Sequence, residues 1–180
     1  MSTHPSISRL IHFLPSPSVP EQKNWPLIES QIGSTLPKDY KELVDTYGGG
    51  EFDRCIWLLE PGCANSGYDL IIAGKERAEA FEWLWETGED KPTELEEEGS
   101  RLIPWACTEN GEYLFWLVRP GQGPDAWTVM VNEGRGPEWE RFAMTCADFL
   151  SSVLAGDMNS EILCELPAGV HEFHPSVEFV

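Results

Sequence analysis

The sequence predicts an α+β fold, with helices packed against an antiparallel or mixed sheet of about five or six strands. Three observations lead to it. Apolar residues recur at helical spacing in separate segments, and the order along the chain is helices, strand, helix, a meander of strands, then helix. Within the meander, Asn110-Gly111 joins two strand-like runs and is a preferred pair for a tight hairpin, which makes those runs antiparallel neighbours. In the run Glu112 to Val118 both alternating sets are apolar, Tyr113, Phe115 and Leu117 against Leu114, Trp116 and Val118, as in a central strand covered on both faces.

The elements follow in order. Ile7, Leu10, Ile11 and Leu14 stand at i, i+3, i+4, i+7 and predict a short N-terminal helix, after which Pro15, Pro17 and Pro20 enforce an extended connector. Asn24 caps a second helix carrying Trp25, Leu27, Ile28 and Ile32, with Gly33 as its stop. In Leu36 to Tyr47, Pro37 suits a first turn, Tyr40, Leu43, Val44 and Tyr47 form an apolar stripe, and Gly48 to Gly50 provide the exit. Phe52 to Leu59 reads as one strand and Pro61 to Gly67 as a loop. A long helix is expected within Tyr68 to Thr87, with Ala78, Phe81 and Trp85 on its buried side and Gly74 marking either its start or a break. Strands are expected over Arg101 to Cys107, Glu112 to Val118 and Ala126 to Asn132, with a further short one in Trp139 to Met144. Thr145 with Asp148 three residues on resembles a capping box, and Phe149, Leu150, Val153 and Leu154 line the helix that Gly156 closes. The segment Val170 to Phe173 is placed as a return to the sheet edge.

A chain of 180 residues fits one domain, and its eight Trp and eight Phe supply the apolar bulk that disordered chains lack. No apolar run approaches the roughly 20 residues that cross a bilayer, and the N-terminus does not read as an export signal, so a cytoplasmic protein is expected. The five cysteines, Cys55, Cys63, Cys107, Cys146 and Cys164, are odd in number and scattered, which reads as reduced thiols. Charge is the strongest compositional signal: 12 Lys and Arg against 31 Asp and Glu leave a net charge of −19. Such a field repels nucleic acid and anionic membrane, and steers basic partners toward the surface.

No motif for catalysis, cofactor or metal stands out. Between Gly67 and Gly74-Lys75 lie six residues where a phosphate-binding loop has four, and Glu76 follows in place of Ser or Thr. His171 and His174 are spaced three apart, which on a strand turns them to opposite faces. No nucleophile elbow appears, and the histidines lie at the two ends of the chain. The expectation is a protein without catalytic residues, cofactor or metal.

Between Glu76 and Glu98 ten carboxylates face two bases, Arg77 and Lys91. On a helix Glu79, Glu82 and Glu86 form a ridge beside the apolar stripe, with Trp83 among them. Glu89, Asp90, Glu94, Glu96, Glu97 and Glu98 continue the charge onto a loop that Pro92 opens. Read blandly, this is a solvated face; read functionally, these ten residues dock a basic protein, with Trp83 as anchor.

Taken together, the residues resemble the SUKH superfamily of bacterial immunity proteins, which also contains a fungal regulator of cell-wall assembly. The resemblance runs from about Trp25 to Asp157. It rests on Ile28-Glu29 with Gly33, Leu36-Pro37-Lys38-Asp39-Tyr40, Tyr47-Gly48-Gly49-Gly50, Ile103-Pro104-Trp105-Ala106, Asn110-Gly111-Glu112, Leu114-Phe115-Trp116, Phe149-Leu150 and Leu154-Ala155-Gly156. It implies a single SUKH-like domain over 1–180, with a core near 25–157, an N-terminal extension 1–22 and a tail 158–180. It also implies the role of a non-catalytic immunity partner for a polymorphic toxin, such as a nuclease or deaminase. A regulatory scaffold without a toxin partner and a small-molecule binding module remain the other classes.

Overall fold

The structure is a computed structural model, and it describes residues 2–134 and 136–179. Helices α1 (Pro5–Phe13), α2 (Trp25–Ile32) and α3 (Lys38–Tyr47) open the chain, followed by the strands β1 (Gly50–Phe52) and β2 (Ile56–Leu58). Helix α4 (Leu70–Glu86) then leads to β3 (Arg101–Cys107), β4 (Tyr113–Val118), β5 (Thr128–Asn132) and β6 (Trp139–Phe142). Helix α5 (Cys146–Leu154) and the strand β7 (Phe173–Pro175) complete the order. The seven strands form one sheet in the order β6-β5-β4-β3-β2-β1-β7, and every ladder in it is antiparallel. The α+β class stands, with slightly more strands than expected.

The additional strand comes from the first of the expected ones, which divides in two. Phe52 to Leu59 is not one strand but a hairpin, because the chain reverses at Asp53 and Arg54, whose φ angles are 52° and 54°. The Cys55 amide donates to the Phe52 carbonyl across them, and a turn with positive φ at both centres ordinarily uses Asn-Gly or Asp-Gly. Here the tail supplies what the sequence lacks. The Asp53 carboxylate accepts the Glu172 amide at 2.8 Å and meets His171 Nδ1 at 2.6 Å, while the Asp53 amide donates to the Glu172 carbonyl at 2.9 Å. The same tail then forms β7 against β1, over Phe173 to Pro175, just beyond the segment expected to return to the edge. Gly50 sits opposite Pro175 with φ 158°, and a Cβ there would collide with the His174 carbonyl and the Phe173 ring.

Alternation along β4 sorts the core. Leu114, Trp116 and Val118 join the main cluster with Ile7 and Leu10 of α1, Tyr40, Leu43, Val44 and Tyr47 of α3, and Phe149 and Leu150 of α5. Leu117 instead packs with Met130 of β5 and Leu95, and Phe115 meets Phe81 of α4 at 5.5 Å between ring centres. The central strand is therefore covered on both faces, by α1, α3 and α5 on one and by α4 with the following loop on the other. The Asn110-Gly111 hairpin forms, with positive φ only at Gly111. Helix caps fall where expected: Asn24 accepts from the Leu27 amide and Thr145 from the Asp148 amide.

Cys55 and Cys164 are disulfide-bonded, 109 residues apart in sequence, which corrects the reading of all five cysteines as thiols. Count and spacing carry no information about a tail that folds back over the β1–β2 hairpin. Among the described residues, no helix is long and apolar enough to cross a membrane.

Candidate functional site

Asp69 starts α4 by accepting the Ile71 and Ile72 amides at 2.8 and 3.0 Å, and the helix runs through Gly74 without a break. It lies loosely on the sheet. Of its 17 residues only Leu70, Ala73 and Phe81 are buried, Trp85 is half-buried, and Ala78, expected on the buried side, is exposed. The reason is geometric: Ala78 lines clefts that separate the helix from β3.

The outward side of α4 carries Ile72, Glu76, Glu79, Trp83 and Glu86, spaced i, i+4, i+7, i+11, i+14 and so on one face. Trp83 is 63% exposed and Ile72 41%, which leaves an uncovered indole between carboxylates one turn before and one turn after it. Glu82 is exposed but lies round the flank, where it lines a cleft. The ridge is thus centred on Glu79, Trp83 and Glu86.

The loop residues divide. Asp90, Glu96, Glu97 and Glu98 are exposed, and Glu89 and Glu94 are half-buried. Glu94 forms a two-pronged ion pair with Arg141 of β6, its second prong 3.0 Å from Nη2, and this guanidinium holds its carboxyl below the usual range. Glu97 pairs with Arg119 at 3.2 Å. These two charges are already partly neutralised within the chain, so the free charge of the loop rests on the others. Leu95 anchors the loop beside Trp85, Leu102 and Trp139.

A second acidic concavity escaped sequence reasoning. Glu112, Glu133, Glu138, Glu140 and Glu161 surround an open cleft of about 470 Å³ beside Trp139. They come from the β3–β4 turn, the β5–β6 connection, β6 and the tail, so only topology brings them together. Glu140 is occupied there, accepting the Glu161 and Ile162 amides at 2.9 and 3.1 Å and the Ser160 hydroxyl. The two histidines of the tail serve different carboxylates, His171 meeting Asp53 and His174 lying 3.2 Å from Glu172.

The chain thus has an antiparallel sheet with α3 and α5 on one face and an acidic, tryptophan-bearing helix on the other. The SUKH_6 family model, described as SMI1-KNR4 cell-wall, matches residues 22–150. The chain belongs to the SUKH family. No curated protein and no solved structure matches it. The matched span takes in α2 through most of α5, so this SUKH chain carries α1 and β7 outside the family segment, yet Ile7, Leu10 and Phe173 are buried in the same cluster as the family core.

Proposed function

We propose that this SUKH protein is a non-catalytic immunity protein that binds and neutralises a cognate toxin domain, a basic nuclease or deaminase. Its contact surface is the outer face of α4 and the loop after it, comprising Glu79, Glu82, Trp83, Glu86, Glu89, Asp90, Glu94, Glu96, Glu97 and Glu98. Family membership supports the role of a protein-binding partner, and one observation carries the choice of surface: an indole 63% exposed amid carboxylates on a helix face that packs against nothing. Large exposed aromatics surrounded by polar residues anchor interfaces, and a net charge of −19 speeds encounter with a cationic surface.

The test uses the polypeptide encoded by the reading frame beside this one. Its association is measured at about 0.05 and 0.5 M salt, a range over which the screening length shrinks severalfold. Replacing Glu79, Glu82 and Glu86 with Lys changes the net charge from −19 to −13, two units per site. Association should slow by about tenfold or more and lose most of its salt dependence. Trp83→Ala should instead speed dissociation. Unchanged kinetics in both variants would remove this surface, and absence of binding would leave the regulatory scaffold as the better reading.

A further inference from the structure

Where the chain keeps its uncompensated positive charge is as informative as its acidity. Of the 12 lysines and arginines, 11 are described, and seven of those hold a carboxylate within 4.0 Å. The four that do not are Lys75, Arg77, Lys91 and Arg101, and all four line two adjoining clefts between α4 and β3, of about 270 and 250 Å³. Lys75, Lys91 and Arg101 are exposed and Arg77 is half-buried, so solvent can serve most of this charge, and its gathering at one pair of clefts makes a local positive field on an otherwise acidic chain.

The clefts have the rest of a binding site. Phe81, Trp85 and Phe115 line the second, Arg101 is shared by both, and Glu82 is the one carboxylate among the described lining residues. The Arg77 guanidinium lies 4.4 Å from the centre of the Tyr113 ring, its Nε is buried without an acceptor, and Lys91 Nζ sits 5.1 Å from the Trp85 ring. A buried donor without an acceptor forgoes the hydrogen bond it had in water, and an incoming anion would restore one. Gly74, inside α4, lines the first cleft, and a Cβ there would meet nothing within 4 Å. A glycine inside a helix costs about 1 kcal/mol relative to alanine, and no neighbour in the chain requires it at this position.

We infer that these clefts form a binding site for a small organic anion with a flat apolar body, its ring against Phe81, Trp85 and Phe115 and its charge toward Arg101. Guanidinium groups recognise carboxylate and phosphate alike, so the head group is either of these. This site shares only Glu82 with the docking surface proposed above, and it does not depend on that reading.

The probes are naphthoate, naphthyl phosphate and uncharged naphthamide, titrated into the full chain and followed by amide NMR. Either acid should shift Leu70–Trp85 and Arg101–Pro104 saturably and bind at least about tenfold tighter than naphthamide, the tighter acid identifying the head group. Arg101→Gln should weaken both acids about tenfold, whereas Lys38→Gln, which removes the same charge at the start of α3, should not. Ala78 lines both clefts, and Ala78→Leu exchanges one good helix former for another, so the variant should fold, and it should abolish binding by filling the space beside the ring. Equal affinity for the uncharged amide, indifference to Arg101→Gln, or no binding of any probe at millimolar concentration would overturn the inference.

Discussion

Asp39 shows how a single side chain joins two distant helices, and its replacement gives a quantitative test of the fold. It is 5% exposed, at the start of α3, and its carboxylate accepts the amide of Ala147 in α5 at 3.0 Å and its own neighbour Tyr40 at 2.9 Å. Thr145 caps α5 locally but reaches only the Asp148 amide, so Asp39 serves one of the helix's otherwise orphaned donors across 108 residues of sequence. Asp39→Ala removes a hydrogen bond to a charged acceptor, about 1.5–3 kcal/mol, and strands a buried N–H at about 1–3 kcal/mol. Relief of the buried charge offsets part of this, leaving a net loss of about 2–4 kcal/mol. In urea, at a slope near 2 kcal/mol/M, the midpoint falls by about 1–2 M with the slope unchanged. Asp39→Asn keeps one acceptor oxygen for the Ala147 amide but puts an NH2 where Oδ1 accepted the Tyr40 amide, and loses the charge at the positive end of α5, so it should cost less than Asp39→Ala, about 1–2 kcal/mol. A midpoint for Asp39→Ala within about 0.3 M of the parent, or an Asn variant as damaged as the Ala variant, would refute the reasoning.

Glu60 is 8% exposed and accepts from Ser176 Oγ at 2.5 Å and Lys23 Nζ at 3.1 Å. Burial pushes its carboxyl up, but the bonds from Ser176 and Gly49 and the Lys23 ammonium outweigh that and leave it below the ordinary value. Its contribution to stability is therefore present above the unfolded value of about 4.3 and lost as pH falls through the lower folded one. Glu60→Gln should be less stable than the parent at neutral pH, with the gap closing below about pH 4; a gap in urea midpoints that does not vary with pH would contradict this. The Cys55–Cys164 bond closes a loop spanning 109 residues, for which the chain-entropy limit is about 4.7 kcal/mol. A dithiol reductant should lower the thermal midpoint of the parent and leave Cys164→Ser unmoved, and a parent indifferent to reduction would remove the bond as a staple.

Much of the fold was legible because it is written locally. Asn24, Thr145 and Gly33 act within a few residues of themselves, and the two-sided apolar run in β4 announces a central strand without reference to anything else. What sequence could not yield depends on long-range partners. Asp53-Arg54 is a poor hairpin turn until Glu172 and His171 arrive from the tail, so the hairpin looked like one strand. The nine acidic candidates and Trp83 are visible as a cluster, but not that Arg141 and Arg119 come from elsewhere to engage Glu94 and Glu97. The cationic clefts were invisible for the same reason: Lys75, Arg77, Lys91 and Arg101 look ordinary until topology shows that they share one place and lack partners.

Helices α4 and α5 cover opposite faces of the sheet and differ sharply in burial. Helix α5 buries seven of nine residues and does what a covering helix should, whereas α4 buries three of 17. If α4 existed only to cover the sheet, its apolar residues would face inward, its interior would avoid glycine, and its cations would be paired. It breaks each rule, with Trp83 and Ile72 outward, Gly74 inside, and Lys75 and Arg77 unpaired. Local rules broken at β1 and β2 are compensated within the chain, Gly50 by the approach of β7 and Asp53 by the tail amide. On α4 the Arg77 guanidinium has the Tyr113 ring, but Trp83 and Ile72 stay uncovered and Lys75 has no carboxylate among the described residues. Departures that a structure leaves uncompensated are where a ligand or partner has the most to contribute. Both flanks of α4 meet that condition with opposite charge, the outer one being the surface proposed for a cationic protein and the inner one the site proposed for a small anion.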